Sequence, residues 1–415
     1  MSTLSVSSSG DRINRRQRVL IASPGKHLFL RLRDPRIFIY QEGAEREPTP
    51  DLVVFPCSQI SELQGLADRL PQVTRARLAS GKARVVLDAS GEGRGHGEEI
   101  TEQLHRFVTS IGGLVGRAAY ITQNRFYRRD YLDYCERTGV RRPMTVLCYD
   151  YWIKRFFHPY ETEGAAVFAE RLEAFRARSA TRERRFISLN FSPRPIKIIF
   201  LLNLMKECLW DQGFVSFGGF GRLSAMGEQE RDTARLIKLT RRLEGFKRLY
   251  WKAAAFVPQL EAVGRVQVGD INTVKIADDL PLTEYRRSWF SAVTESEMGD
   301  EPTRITEKPF KPLINFHPIV MFGNPGSLAA VRALGFQTFP ELFDESYDDE
   351  PSPPRRFEMA FAEFVRLCRM DEAELARLEA SIVEKLEFNA RFGLTELPGR
   401  YRNEFDRALV DELAR

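Results

Sequence analysis

Short apolar segments rich in valine, isoleucine and aromatic residues recur along the first third of the chain: Val19–Ala22, Ile37–Tyr40, Leu52–Phe55, Val85–Leu87, Ala119–Thr122 and Thr145–Tyr149. Turn or loop residues stand near each one. Helical patterns separate several of them, as over Ile60–Arg69 and Glu98–Ile111. Strand followed by helix, repeated, limits the available folds more than any other feature of this chain. Parallel neighbours need a crossover, crossover helices cover both faces of the sheet, and the strands then read as unbroken apolar runs. Residues 17–160 are therefore expected to form an α/β, Rossmann-like domain.

A second series of the same kind begins at Phe186. Phe186–Asn190 reads as a strand, Phe191-Ser-Pro-Arg-Pro195 as a tight loop and Ile196–Cys208 as a strongly apolar helix. Gly213–Phe217 and Phe290–Thr294 read as further strands. This series occupies residues 186–350. Between the two lie the amphipathic pattern Ala165–Arg178 and the charge run Thr181-Arg-Glu-Arg-Arg185, so residues 161–185 are expected to be a helical connector. Helical periodicity returns over Glu358–Asn389, with a break near Met370-Asp371, and again over Arg402–Leu413. Residues 351–415 are thus expected to be C-terminal helices that either pad the second domain or cross back onto the first. Two domains also follow from length, because 415 residues exceed what one core usually organises. Residues 1–16 are Ser-rich and then basic, without an apolar core. They are expected to be disordered and not a signal peptide.

Composition narrows the class. Hydrophobic residues at 43% and charged residues at 29% describe a soluble globular chain. The net charge of +5 is mildly basic and reads first as an arginine-rich solvated surface. It is also compatible with phosphorylated ligands or an anionic membrane surface, and nothing in it points to nucleic acid. No apolar run reaches the roughly 18–20 residues that a membrane-spanning helix needs. The five cysteines have no paired spacing, so neither a zinc site nor a disulfide framework is expected. A reducing, cytoplasmic setting follows, with room for peripheral association at the inner face of a membrane.

Ligands of open α/β sheets bind beyond the carboxyl ends of the strands, so the loops there carry the candidate chemistry. The strand Arg84–Asp88 runs into Ala89-Ser-Gly-Glu-Gly-Arg-Gly-His-Gly97. Glu92, Arg94 and His96 would meet a ligand there, with Asp88 capping the loop. The glycines match neither the dinucleotide fingerprint, since His96 stands where a glycine is needed, nor a phosphate loop, since no Gly-Lys-Ser/Thr follows. A flexible connection explains the composition equally well. Thr122-Gln-Asn124, after the fifth apolar segment, reads as turn chemistry before it reads as a set of amides for sugar hydroxyls. In the second domain, Arg194 and Lys197 open the helix that follows a strand. A helix N-terminus supplies free N–H groups and a positive dipole end, so the two cations make a candidate diphosphate cradle. Arg194 could instead pair with a surface carboxylate. Trp251 and Phe256 are expected in the core.

The stretch 290–348 gathers the remaining signals. It holds Val293-Thr-Glu-Ser296, Ile305-Thr-Glu-Lys-Pro-Phe-Lys-Pro312, an apolar run Leu313–Phe322 broken by His317-Pro318, the turn Gly323-Asn-Pro-Gly-Ser327, and Phe343-Asp-Glu-Ser-Tyr-Asp348. The order Thr-Glu-Ser, Ile-Thr-Glu-Lys, apolar run and glycine resembles the donor-binding region of fucosyltransferases. Asn190-Phe-Ser-Pro-Arg194 is similar to an Asn-Arg-x-x-Arg segment of related bacterial glycosyltransferases. Arg194 matches it, while Phe191 stands where that pattern has arginine. Phe343–Asp348 is similar to a tail segment of the same group. The resemblance spans about residues 186–350.

The resemblance implies a GT-B fold: two Rossmann-like domains facing across a cleft, the first for the acceptor and the second for a nucleotide-sugar donor. It implies a fucosyltransferase-like hexosyltransferase acting on a glycan or glycolipid in bacterial surface polysaccharide or glycoconjugate synthesis. Such transfer leaves charge on a departing diphosphate, which a metal or fixed cations must neutralise. No Asp-x-Asp triplet is present; neither Asp278-Asp279 nor Asp348-Asp349 has that spacing. Metal-independent, inverting transfer is expected, with no cofactor. Lys308 and Arg194 are assigned to the leaving group, with Lys197 and Lys311 beside them. Glu307 is assigned to the donor ribose and Glu295 to the sugar. The acceptor base is sought in Glu92 and His96, and His317 is either a donor-pocket residue or a satisfied structural histidine. Glu307-Lys308 is read as an exposed loop-end pair. Two rivals remain: another donor, such as a sialic-type or Kdo nucleotide sugar, and a non-catalytic carbohydrate- or nucleotide-binding protein on the same scaffold.

Overall fold

The computed structural model describes residues 17–21, 38–41, 50–57, 63–91, 93, 95–220, 233–269, 280–301 and 304–414. Residues 1–16, Glu92, Arg94 and the pair Asp278-Asp279 lie outside the described residues. The chain divides into two compact units, Met1–Tyr151 with Arg402–Arg415, and Trp152–Tyr401. Each is built on a mainly parallel sheet.

The first sheet contains β1 (Gln17–Ile21), β2 (Phe38–Gln41), β3 (Leu52–Pro56), β4 (Arg84–Ala89), β5 (Ala119–Thr122) and β6 (Thr145–Cys148). Their order is β2-β1-β3-β4-β5-β6, and every pairing is parallel. Every residue of β4 and β5 is buried, as strands covered on both faces must be. Helix α1 (Glu98–Ser110) turns Leu104, Phe107 and Val108 inward, and Phe107 packs edge-on against Phe55 at 5.0 Å. Helix α2 (Tyr127–Thr138) buries Tyr127, Tyr131 and Tyr134 and ends at Gly139, whose φ of 74° needs glycine.

The second sheet contains β7 (Arg184–Asn190), β8 (Gly213–Gly218), β9 (Arg265–Val266), β10 (Ser288–Thr294) and β11 (Ile319–Phe322). Their order is β11-β10-β7-β8-β9, parallel except where β9 meets β8. Helix α3 (Tyr160–Arg176), in the segment expected to connect the domains, belongs to this unit. Helix α4 (Pro195–Lys206) is buried at every position from Ile196 to Leu204, as a helix apolar all round must be. The apolar run Leu313–Phe322 is divided by His317-Pro318 into a helical turn, Phe310–Leu313, and β11. Helix α5 (Ser327–Leu334) follows the Gly323–Gly326 turn. The periodic stretch after residue 353 breaks at Met370-Asp371, where the Asp371 carboxylate caps the next helix through Glu374 N at 2.7 Å. Its first part is α6 (Pro353–Arg369).

The last helix, α7 (Asp406–Ala414), belongs to the first unit. Arg84 on β4 donates to the carbonyls of Glu412 and Leu413 at 2.9 and 3.1 Å, so a cation satisfies the open carbonyls of a helix C-terminus. Tyr149 fastens the other end through Asp406. Trp251 corrects an expectation: it is 57% exposed, with the Arg241 guanidinium 4.9 Å from its ring. Its helix, Lys247–Ala253, turns Leu249, Tyr250 and Ala253 inward and leaves position 251 outside that face. Phe256 is half-buried.

Gly164 on α3 meets backbone directly, since a Cβ there would stand 1.8 Å from Leu394 O. Gly164→Ala is expected to destabilise the protein by about 3 kcal/mol, at the upper end of overpacking effects. Gly65→Ala, in a helix with nothing among the described residues within 4 Å of the added carbon, should instead be neutral or stabilising. Urea melts of the two variants check the contrast in sign.

Candidate active site

The second sheet reverses direction between β7 and β10. After β7 the chain crosses to β8 on one side, and after β10 to β11 on the other. Such a switch point opens a crevice at the carboxyl ends of the two central strands. Asn190 ends β7, and Glu295 follows Thr294 at the end of β10. A buried polar network ties these ends together. Thr294 donates its hydroxyl proton to Asn190 Oδ1, Asn190 donates to Ser188 Oγ at 2.7 Å, and Ser188 donates to Ala292 O at 3.0 Å. Ser216 Oγ on β8 accepts from Asn190 N at 2.9 Å.

Glu295 is buried, and its carboxylate organises the loop above it. It accepts the Thr306 N–H at 3.2 Å and the Thr306 hydroxyl at 2.8–2.9 Å. Lys308 donates to Thr306 Oγ1 at 2.9 Å and lies 3.3 Å from Glu295 Oε2, nearer than its 3.8 Å to Glu307. The expectation of an exposed Glu307-Lys308 pair is therefore corrected. Glu307 is buried, the Lys308 side chain is only 22% exposed, and the principal carboxylate partner of Lys308 is Glu295. Burial alone would lower the Lys308 pKa, but Glu295 and Glu307 overcome it and hold the ammonium above its ordinary value. Burial would raise the Glu307 pKa, yet Lys308 and Lys311 keep it below the usual carboxylate range. Lys311 is itself buried on the turn that follows.

Lys197 lies in the first turn of α4. Among the described residues no side chain caps that helix, whose N-cap is Arg194 in extended conformation with an exposed side chain. A cation at the positive end of a helix dipole is misplaced unless an anion joins it. Lys197 is also 3% exposed, and burial pushes its pKa down to about 7. Lys308 and Arg194 push the same way, while Glu295 and Glu307 oppose. The structure thus brings Arg194, Lys197, Glu295, Glu307, Lys308 and Lys311 to one edge of the sheet. Phe191, where the related segment has arginine, carries the Arg265 guanidinium 4.9 Å from its ring centroid, so a cation reaches that place from β9.

Two supports were not read from the sequence. Asp348 accepts from Leu328 N and Ala329 N, both at 2.9 Å, so the N-terminus of α5 is already occupied by a carboxylate. Arg356, 1% exposed, donates to the carbonyls of Gly323, Glu350 and Gly299 and so fastens three loops behind the site. Its signal was present: position 356 falls on the buried face of α6 with Phe357, Ala360, Phe364 and Leu367. Gly323 must remain small, because a Cβ would stand 2.9 Å from Ser327 Oγ and 3.3 Å from Glu295 Cγ. His317 is a structural histidine. Its Nε2 donates to Tyr285 O, its Nδ1 accepts from Ser291 Oγ at 3.0 Å, and burial drives its pKa down to about 3.

The remaining candidates are in the first unit. His96 contacts Thr101 Oγ1 through Nε2 at 2.8 Å and lies edge-on to Tyr127 at 5.4 Å. Burial lowers its pKa against the opposing charges of Asp130 and Glu98. Asp88 caps its loop by accepting from Ser90 N and Ser90 Oγ at 3.0 and 2.6 Å. Asn124 is turn chemistry, its Oδ1 accepting from Phe126 N and Tyr127 N at 2.9 and 3.2 Å. Among the described residues, no group of three or more His, Cys, Asp or Glu side chains could hold a metal ion, and no helix is long and apolar enough to cross a membrane.

No family model matches the sequence, and no curated protein matches it. Among solved structures the chain is similar to a UDP-forming α,α-trehalose-phosphate synthase from Burkholderia xenovorans, at 12% identity and a TM-score of 0.42, over 88% of this chain and 75% of that one.

The Lys197 environment has a measurable consequence. Its folded pKa of about 7 lies below the ordinary 10.5, so across that window the unfolded chain binds the extra proton. Stability should rise with pH between these values, by up to about 1.4 kcal/mol per pH unit from this group. Lys197→Met should remove that slope. The variant's advantage over the parent should be greatest below pH 7 and shrink towards pH 10.5. Urea unfolding of both proteins across the window checks this.

Proposed function

We propose that the chain is a nucleotide-sugar-dependent glycosyltransferase whose donor diphosphate is held at the carboxyl edge of the second sheet. The observation that carries this reading is Lys197, a cation buried in the first turn of an uncapped helix, with Arg194 and Lys308 close enough to depress its pKa. A diphosphate at that place would supply the missing negative charge and accept the free N–H groups. The charge favours a nucleoside diphosphate end over a neutral sugar.

Transfer breaks the bond between the anomeric carbon and the diphosphate oxygen. Positive charge develops on the sugar and negative charge on the leaving group. Lys308, pre-positioned by Glu295 and Thr306, would stabilise that leaving oxygen, aided by Arg194 and Lys197. Glu307 would accept from the ribose hydroxyls, and Glu295 would hold both the sugar end and the lysine. Lys311 would tune Glu307. The acceptor base is assigned to the first unit, to His96 or to Glu92. An inverting, metal-independent, fucosyltransferase-like hexosyl transfer onto a glycan or glycolipid is the finer reading, in bacterial surface polysaccharide or glycoconjugate synthesis. The residues Glu295, Thr306, Glu307, Lys308 and Gly323, in the order seen in fucosyltransferases, support it.

Incubation with a panel of nucleotide sugars and glycan acceptors should release nucleoside diphosphate. Binding without release would favour the non-catalytic alternative. Lys308→Ala should lower kcat by about 10²–10³-fold with a smaller change in KM, as for loss of one preorganised transition-state donor. It should also lower the melting temperature, because the buried Glu295 carboxylate loses its cation. Lys308→Arg should restore stability before it restores turnover. Glu307→Gln should act mainly on KM for the donor. Near-parental kinetics in Lys308→Ala would sink this assignment.

Because cationic side chains occupy the place of the leaving group, turnover is expected to persist in EDTA. Complete loss on chelation, with recovery on adding magnesium or manganese, is the result that would overturn a metal-independent mechanism.

A further inference from the structure

The amino-terminal edge of the second sheet, at the far end of the strands from Glu295 and Lys197, encloses a separate cavity. It lies beneath α3, between the helix Leu282–Arg286 and the 315–317 turn. Among the described residues, Arg171, Arg178, Arg182 and Arg286 line it, against two carboxylates, Glu170 and Glu379. Glu379 is already engaged, accepting from Arg178 Nη2 at 2.8 Å and from Arg182 Nη2 at 3.1 Å. Among the described residues, that leaves Arg182 Nη1 and Arg178 Nε buried without a hydrogen-bond partner. The Arg182 side chain is only 2% exposed and stacks on Trp289 at 4.7 Å, so its guanidinium cannot turn to water.

Buried charged donors are nearly always satisfied in native proteins, and each one left open is expensive. Burial pulls the Arg182 pKa down, and Glu379 offsets this only in part. Nor can His317 on the cavity wall supply the acceptor, because both its ring nitrogens are already used. The volume open to the centres of water-sized molecules is about 40 Å³. By that measure one water takes about 10–15 Å³. The cavity therefore has room for roughly three or four oxygen-sized atoms.

We propose that this cavity is a second ligand site, distinct from the donor edge, that binds one small tetrahedral oxyanion of the phosphate or sulfate class. Arg182 Nη1 and Arg178 Nε would donate to it, with Arg286 and Arg171 supplying the remaining charge. The wall of the site is continuous with the active-site loop. Arg171 donates to Ile314 O at 3.4 Å, and Asn315, which also lines the cavity, donates to Lys311 O at 2.7 Å. The site does not depend on the transferase reading, since nothing in its chemistry requires a sugar donor.

The test is a titration of the full-length protein with inorganic phosphate, read as a rise in melting temperature and compared with sodium chloride at matched ionic strength. Two variants address the cavity. Arg286→Gln removes an exposed charge, and Ala174→Leu fills the space without touching a charge. Lys308→Ala is the control for phosphate bound at the donor edge. Phosphate and sulfate should stabilise the parent and Lys308→Ala alike, with chloride doing much less. The half-saturating phosphate concentration should rise about 10-fold or more in Arg286→Gln and in Ala174→Leu. The proposal fails if phosphate gives no shift, if chloride matches it, if the response disappears in Lys308→Ala, or if both cavity variants respond as the parent does. Failure of the transferase reading would appear instead as absent turnover with the phosphate response intact.

Discussion

The Glu295 carboxylate is the interaction on which the second unit's site depends. It stands at the end of a fully buried strand, where a lone anion would be costly, and it is met by the Thr306 N–H, the Thr306 hydroxyl and the Lys308 ammonium. Those contacts fold the 304–308 segment down onto the strand end and fix the lysine. The order of dependence runs outward from there. Glu295 holds Thr306, Thr306 and Glu295 hold Lys308, and Lys308 in turn bears on the charge state of Lys197 across the crevice. The space is kept by Gly323, whose missing Cβ would press on Glu295 itself.

Charge in this unit is organised at both ends of one sheet, in different ways. At the carboxyl edge, cations gather around an uncapped helix N-terminus, and two carboxylates keep them only partly compensated. At the amino edge, arginines line a small cavity with too few acceptors among the described residues. The two ends share no residue, yet the 310–317 segment passes from one to the other. It carries Lys311 at its start and His317 at its end. The N-terminus of α5, by contrast, is already filled by the Asp348 carboxylate.

Much of the architecture was legible because the signals are local and periodic. Short apolar runs separated by helical patterns are covered on both faces by crossover helices, and both mainly parallel sheets follow from that. The break at Met370-Asp371 was visible because an aspartate cap is a one-residue signal. Trp251 was misplaced because helical phase, which decides its exposure, is uncertain in a short mixed segment. The pairing of Lys308 was also misjudged. Adjacent Glu307 is the natural reading in sequence, whereas Glu295 reaches Lys308 only when the strand end and the loop are brought together.

By itself the sequence determined the alternation of strand and helix, the two-sheet plan, and the residue types that gather charge after β7 and β10. These depend on near neighbours and on periods of two and 3.6 residues. Tertiary structure alone decided which charges are buried, which carboxylate serves which lysine, and that Arg356 closes three distant loops. It also decided that the final helix returns to the first unit, where Arg84 holds its carbonyls. The reason is physical. Burial and pairing are set by packing between segments tens or hundreds of residues apart, and a buried charge takes its energy from those surroundings rather than from its neighbours in the chain.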